Sequence, residues 1–381
     1  MIRITKTIQE GGDLVNWDVL PFDEARLRAY LVSLYKDQVQ VVAVRELLDE
    51  DKERLKEFGY GTPLLIEFTH DGQAEQVVLH TMSEDGFGHE RPSDRARNLL
   101  LDHATFNKLP RHVPSLDVGA FTPASELLSL GQAEEFFNLT EYAPGRPYAR
   151  DLQQIAATGE LSPGDEERAI ALADYLAEIH ALKQPDPVLY RRHIRDLLGH
   201  GEGIMGMLDG YPTDFSPAPP ARLEEIEKCC VAWRWRIKGS SHRLSQVHGD
   251  FHPWNVLFQE GNEFVLLDRS RGEWGEPADD VSAMSINYIL FSLRRHGTVS
   301  GPFRRLYDLF WERYLEQTGD QEVLTVIQPF YAWRALVVAH PIWYPSLPVP
   351  VREALFRFVE NVLATDRFAP QRVNDYLEET C

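Results

Sequence analysis

Residues 247–258 read VHGDFHPWNVLF and residues 265–268 read VLLD. Two apolar, strand-like runs enclose a polar loop carrying His248, Asp250, His252 and Asn255, and Asp268 closes the second run. The spacing is H-x-D, four residues, N, twelve residues, D. One amide and one carboxylate at strand ends suit magnesium, a hard ion that takes oxygen ligands and keeps several waters. A second carboxylate between them can orient a hydroxyl and accept its proton. Together these are the parts that phosphoryl transfer from a nucleotide requires. Asp250 is then the candidate base, with His248 beside it in the catalytic loop, and Asn255 and Asp268 are the candidate metal ligands. Either half alone reads equally well as polar turn chemistry. Both in order, with strand-like sequence on each side, point to a kinase-type site. A different chemistry stays open: H-x-D-x-H on an extended segment could present His248, Asp250 and His252 to one zinc ion, as in a metallohydrolase.

In these residues the chain resembles the aminoglycoside phosphotransferase and choline kinase-like group of small-molecule kinases. That group is built on the protein-kinase fold and shows HGDxHxxN where protein kinases show HRDxxxxN; His252 matches its second histidine. Asp280, in EPADDVS, resembles the later aspartate that props up the catalytic loop. FFNLTEYAPGRPY, residues 136–148, is similar to the family's hinge, with Glu141 and Tyr142 where backbone groups meet adenine, and LADYLAEIHAL, residues 172–182, to the helix that follows. The resemblance covers roughly residues 40–290.

It implies an α+β, bilobal, protein-kinase-like fold. A small mixed β-sheet lobe with a preceding helix, residues 1–140, would bind the nucleotide. A larger, mainly helical lobe, residues 141–381, would carry the catalytic loop, the metal and the acceptor site. The implied activity is transfer of the γ-phosphate of ATP or GTP, with Mg2+, to a hydroxyl of a small-molecule acceptor.

The rest of the chain fits this frame locally. Residues 21–35 place Leu27, Tyr30, Leu31 and Leu34 at helical spacing. Residues 39–48 read as a strand, and 63–69 with 75–82 as a hairpin about His70-Asp71-Gly72. Gly59 and Gly61 are the candidates for a loop over the nucleotide phosphates, because missing side chains let the backbone approach. A helix over 94–109 puts Asp102 where the family carries the acidic partner of its strand lysine, and residues 136–139 read as the last small-lobe strand. Ser162-Pro163-Gly164-Asp165 is a capped helix start. His180 reads as a hydrogen-bonded core histidine. Residues 184–220, with His200, Glu202 and Asp209, occupy the place where such enzymes shape the acceptor pocket. Beyond Asp280 the chain is helical and aromatic-rich.

Two departures stand out. The strand EQVVLHTM offers His80 where the family places a phosphate-binding lysine. Histidine supplies that charge only when protonated; Lys56, Arg91 or Arg95 could supply it instead, or the chain could bind nucleotide without turnover. The usual glycine after the metal-binding aspartate is missing, since Arg269, Ser270 and Arg271 intervene before Gly272. No APE motif follows, which favours a small acceptor over a protein substrate.

The formal charge of -20, from 39 basic and 59 acidic residues, argues against nucleic acid, which needs a basic stripe, and is compatible with a cationic acceptor. No apolar run approaches the ~20 residues that cross a membrane, and the N-terminus lacks a signal-peptide core. Cys229, Cys230 and Cys381 form no disulfide framework and no CxxC pair, so a reducing, cytoplasmic setting is expected.

Overall fold

The computed structural model describes residues 20, 22–46, 61, 63–269 and 271–379. Gly59 and Lys56 lie outside the described residues. The chain divides into two compact units between Thr140 and Glu141.

The first unit opens with α1 (Glu24–Tyr35), capped by Asp23, whose carboxylate accepts from the Arg26 amide at 2.8 Å. The helix buries Leu27 and Leu31. It accompanies an antiparallel meander, β1 (Val39–Glu46), β2 (Leu64–His70) and β3 (Gln73–Leu79), in that spatial order. Both strand pairs of this sheet are antiparallel. Asp71 and Gly72 both take positive φ, the geometry of a two-residue turn whose twist matches its strands. Val39, Val41, Val44, Leu64, Ile66 and Phe68 point alternately inward onto Phe22 and α1, so one face of the sheet makes this unit's core.

Next come α2 (Pro92–Phe106), with no buried side chain, and a short hairpin of β4 (Gly119–Phe121) and β5 (Leu127–Ser129) that the sequence reading did not contain. Residues 136–139 are not a strand. Phe137 and Leu139 are 91% and 88% exposed. A short apolar run becomes a strand only where a neighbour offers it an edge, and none pairs with it among the described residues.

The second unit is mainly helical: β6 (Arg146–Pro147), α3 (Tyr148–Thr158), α4 (Pro163–His180), α5 (Pro187–Gly199), α6 (Ile204–Asp209), α7 (Pro220–Ile237), β7 (Ser245–Gln246), β8 (Val256–Phe258), β9 (Phe264–Leu266), β10 (Trp274–Gly275), α8 (Pro277–His296), α9 (Gly301–Thr318), α10 (Gln328–Ala339) and α11 (Val349–Leu363). The capping box at α4 forms as read: Ser162 Oγ accepts from the Asp165 amide, and Asp165 accepts from the Ser162 amide at 2.8 Å. α8 is the axis, buried from Pro277 through Leu293, with α9, α10 and α3 packed around it. β6, β8 and β9 pair antiparallel, as do β7 and β10. These short ladders carry the loops on which the site is built. Among the described residues no helix is long and apolar enough to cross a membrane.

Candidate active site

The loop between β7 and β8 is tied down at its first turn. Gly249 adopts φ +85°, a left-handed conformation that disfavours any side chain, and a Cβ there would press on Arg271. This geometry turns two successive amides toward α8. The His248 amide donates to Asp280 Oδ2 at 2.8 Å and the Gly249 amide to Asp280 Oδ1 at 2.7 Å. Asp280 is fully buried in the first turn of α8, where the helix dipole also favours a carboxylate. Burial pushes its carboxyl upward, but the bond from His180 Nε2 (3.2 Å), the nearby histidines and the backbone amide outweigh it and hold it below its ordinary value. His180, itself buried, joins Asp280 to the Tyr314 hydroxyl at 2.9 Å. It is the hydrogen-bonded core histidine expected. α8 is set in turn by its capping residue Glu276, fully buried against the Arg243 guanidinium at 2.7 Å.

His248 spends both ring nitrogens on the backbone. Nε2 donates to the Leu267 carbonyl at 2.9 Å and Nδ1 accepts from the Asp250 amide at 3.2 Å. No lone pair remains for a metal and no proton for a reacting group. His248 therefore holds the loop, where the sequence reading had it beside the base as a catalytic group.

Asp250 lies part-buried two residues on. Its Oδ1 accepts from Arg334 Nη1 at 2.6 Å, and its Oδ2 lies 3.4 Å from His252 Nε2 and 3.4 Å from Asn255 Nδ2. Burial would raise its pKa, but His252 and Arg334 overcome that and hold it far below the carboxylate range. Asp250 is ionised.

Asn255 donates through Nδ2 to the Asp250 carbonyl at 3.1 Å, which turns its Oδ1 the other way. β8 and β9 pair Val256 with Leu266, and the Leu267 amide donates to the Asn255 carbonyl at 2.9 Å. This register sets Asp268 one residue beyond the partner of Asn255. Asp268 is exposed, and φ +54° places it in a region that residues other than glycine seldom occupy and that functional sites tolerate. An amide oxygen and a carboxylate with no hydrogen bond or ion pair among the described residues thus sit at adjacent strand ends, a donor set that suits a hard divalent cation.

The candidates outside this loop are less organised. A Cβ at Gly61 would run into the Thr81 carbonyl, so close backbone packing already accounts for that glycine. His80, directly after β3, is exposed, and it shares no hydrogen bond or ion pair with Asp102 among the described residues. Asp102 is half-buried on α2, lining a shallow depression with Met82, Phe87 and His89. Of the alternative cations, Arg95 donates to the His89 carbonyl at 2.7 Å. Glu141 and Tyr142 lie in an irregular segment before β6, with Tyr142 90% exposed. His200 and Asp209 are exposed. Glu202 meets Arg271 at 3.4 Å, and its carbonyl accepts from Trp333 Nε1 at 2.8 Å.

The residue that sequence reasoning missed is Arg334. It is the lone charge in residues 326–339, VIQPFYAWRALVVA, and a single cation in so apolar a helix was the available signal. Asp279, beside the recognised Asp280, was missed with it.

Residues 90–321 match the profile of the family described as "Phosphotransferase enzyme family", more than half of the chain. The chain belongs to the phosphotransferase enzyme family. The protein-kinase-like α+β fold implied by the catalytic loop stands with that membership. No curated protein matches the sequence. Among solved structures, a glucosamine kinase in complex with glucosamine, ADP and inorganic phosphate is 16% identical over 61% of this chain and 62% of that one, with a TM-score of 0.34. An amicoumacin kinase in complex with AMP-PNP and Ca2+ is 16% identical over 93% and 98%, with a TM-score of 0.38. A Plasmodium vivax ethanolamine kinase is 13% identical over 90% and 80%, with a TM-score of 0.33. These likenesses are distant. Membership in the phosphotransferase family rests on the profile match.

Proposed function

We propose that this phosphotransferase moves the γ-phosphate of ATP, or GTP, to a hydroxyl of a small-molecule acceptor. The observation that carries the reading is a loop holding an Arg334-bonded carboxylate, Asp250, next to an amide oxygen and a carboxylate that has no hydrogen bond or ion pair among the described residues, at adjacent strand ends. Asn255 Oδ1 and Asp268 would hold Mg2+, which when bound neutralises charge on the phosphates. Asp250 accepts a hydrogen bond from the acceptor hydroxyl through Oδ2 and takes its proton. With Arg334 and His252 depressing its basicity, its first task is orientation, and proton transfer comes late. That order suits the loose transition state of phosphoryl transfer, in which the nucleophile needs little activation. His248 and Asp280 keep the loop in this shape. Residues 1–140 bind the nucleotide and residues 141–381 carry the reaction. Compensation for phosphate charge falls to His80, or to Lys56, Arg91 or Arg95. The net charge of -20 favours a cationic acceptor, such as an amino alcohol or amino sugar.

One observation favours a second reading, a nucleotide-binding module without turnover: the exposed His80 where a lysine is expected. Zinc hydrolysis loses its support, because the His248 ring is committed to the backbone. Nor, among the described residues, does any group of three His, Cys, Asp or Glu side chains form a metal site. The test is a nucleotide thermal-shift titration followed by an acceptor screen read as ADP release. A ligand at ~100 times its dissociation constant adds about 2.7 kcal/mol of stability, an easily detected shift. Stabilisation by nucleotide with no acceptor-dependent ADP release would favour the second reading. Binding and turnover both indifferent to divalent ions would sink the first.

A further inference from the structure

Arg334 is an expensive residue in its place. It sits in α10 among apolar neighbours, with its side chain 7% exposed. An arginine taken out of water loses hydration that its ion pairs only partly restore, and hydrophobic residues of similar volume commonly serve stability as well. Its hydrogen bonds all go to one place. Nη1 donates to Asp250 Oδ1 at 2.6 Å, and Nη2 to the Gly249 carbonyl at 3.0 Å and to Asp279 Oδ1 at 2.6 Å. Nε is buried with no partner among the described residues. The guanidinium is thus aimed at the catalytic loop and the start of α8 even though one donor stays unsatisfied.

Its plane is held as well. The guanidinium carbon lies 3.9 Å from the Trp333 ring centroid, Arg271 lies 4.4 Å from the same ring, and the indole Nε1 is bonded to the Glu202 carbonyl. Cation–π contacts of this kind fix a guanidinium's orientation as well as adding attraction.

We propose that Arg334 is a positioning residue of the phosphotransferase site. By occupying Asp250 Oδ1 from behind, it reserves Oδ2 for the acceptor hydroxyl. The division follows from the contacts: Oδ1 has a short charge-assisted bond, and Oδ2 has, among the described residues, two longer contacts at 3.4 Å, which a hydroxyl can displace. Asp279 anchors the far side of the guanidinium, so the carboxylate rotor is set by helix packing. Trp333 extends the same support to the Glu202 segment. The inference rests on the kinase reading of Asp250.

The experiment follows ADP release from MgATP with water as acceptor and with ethanolamine and glucosamine as probes, in wild type, Arg334→Lys and Arg334→Gln. Misplacement of a reacting group by about 1 Å costs on the order of 100-fold, so Arg334→Gln should lose roughly that in kcat. Its nucleotide KM and nucleotide-induced thermal shift should stay within about twofold, as expected of a group that acts only through Asp250. Arg334→Lys keeps the charge without the fork, and should fall between wild type and Arg334→Gln. A folded Arg334→Gln with wild-type kcat, or with nucleotide binding weakened as much as turnover, would overturn the proposal. If Arg334→Gln does not fold, Arg334→Lys decides alone: a kcat about tenfold below wild type at unchanged nucleotide KM supports positioning, and wild-type kcat overturns it. Wild type that releases no ADP under any condition defeats the kinase reading, and the positioning role with it.

Discussion

The loop of residues 247–255 and the nucleotide-side candidates at residues 80–142 are built on opposite plans. In the loop, motif side chains are committed to partners within the fold. Asp280 takes two backbone amides, His248 binds backbone on both sides, and Asp250 is clamped by Arg334. Across residues 80–142, the candidates His80, Glu141 and Tyr142 stand exposed, and His80 and Asp102 share no bond among the described residues. Base and metal chemistry needs side-chain atoms placed to within fractions of an ångström, which takes supporting hydrogen bonds. Donor recognition through backbone groups and outward-facing charge needs no such scaffolding. Substitutions in the loop should therefore cost more than those among the exposed candidates.

The contrast would break most directly at Asp250. Asp250→Asn should lower turnover by roughly 10²- to 10⁴-fold, the usual worth of a positioned general base, while leaving the nucleotide-induced thermal shift intact. Near-normal ADP release from that variant would remove Asp250 from the reaction.

At Asp280 the expected loss is of the fold as well as of activity. Asp280→Ala strands two backbone amides and His180, and should cost about 3 to 5 kcal/mol in denaturant unfolding. The pH dependence follows in sign. The folded carboxyl is held below its ordinary value, so its stabilising contribution is complete above an unfolded pKa of ~3.9 and is lost as pH falls through the folded one. Acid unfolding of Asp280→Asn should therefore show a shallower fall in stability below about pH 4 than wild type.

Smaller effects are expected at the two candidate metal ligands. Asp268→Asn and Asn255→Ala should each raise the Mg2+ concentration for half-maximal activity by at least about tenfold, measured by Mg2+ titration of ADP release. Unchanged Mg2+ curves in both would place the metal elsewhere.

The smallest effect belongs to His80. An exposed charge contributes at most ~1 kcal/mol, so His80→Ala should weaken nucleotide binding by no more than about fivefold. If His80 supplies the phosphate-side charge, wild type should bind nucleotide more tightly than His80→Ala in parallel binding titrations. Superimposable titrations would pass that role to Arg91 or Arg95.

The local geometry of the loop and its flanking strands could be read from the chain itself, because short-range constraints write themselves into spacing. Asn255 and Asp268 follow from strand ends with twelve residues between them, and Ser162 and Asp165 from the cap of α4. The hairpin turn at Asp71-Gly72 and the amphipathic α1 are local for the same reason. Pairings between distant segments leave no such trace in the sequence. Residues 136–139 have strand-like composition and, among the described residues, no edge to join, whereas residues 119–129 form a hairpin without a strong strand signature. His248 lost its catalytic reading once the Leu267 carbonyl, nineteen residues on, took its Nε2 proton. Arg334 stands 84 residues from Asp250, and no local pattern records that α10 delivers a guanidinium to the back of that carboxylate. Local backbone preference acts over a few residues and leaves a periodic trace. A buried ion pair is satisfied by whatever packing brings near, and leaves only a charge where an apolar helix should have none.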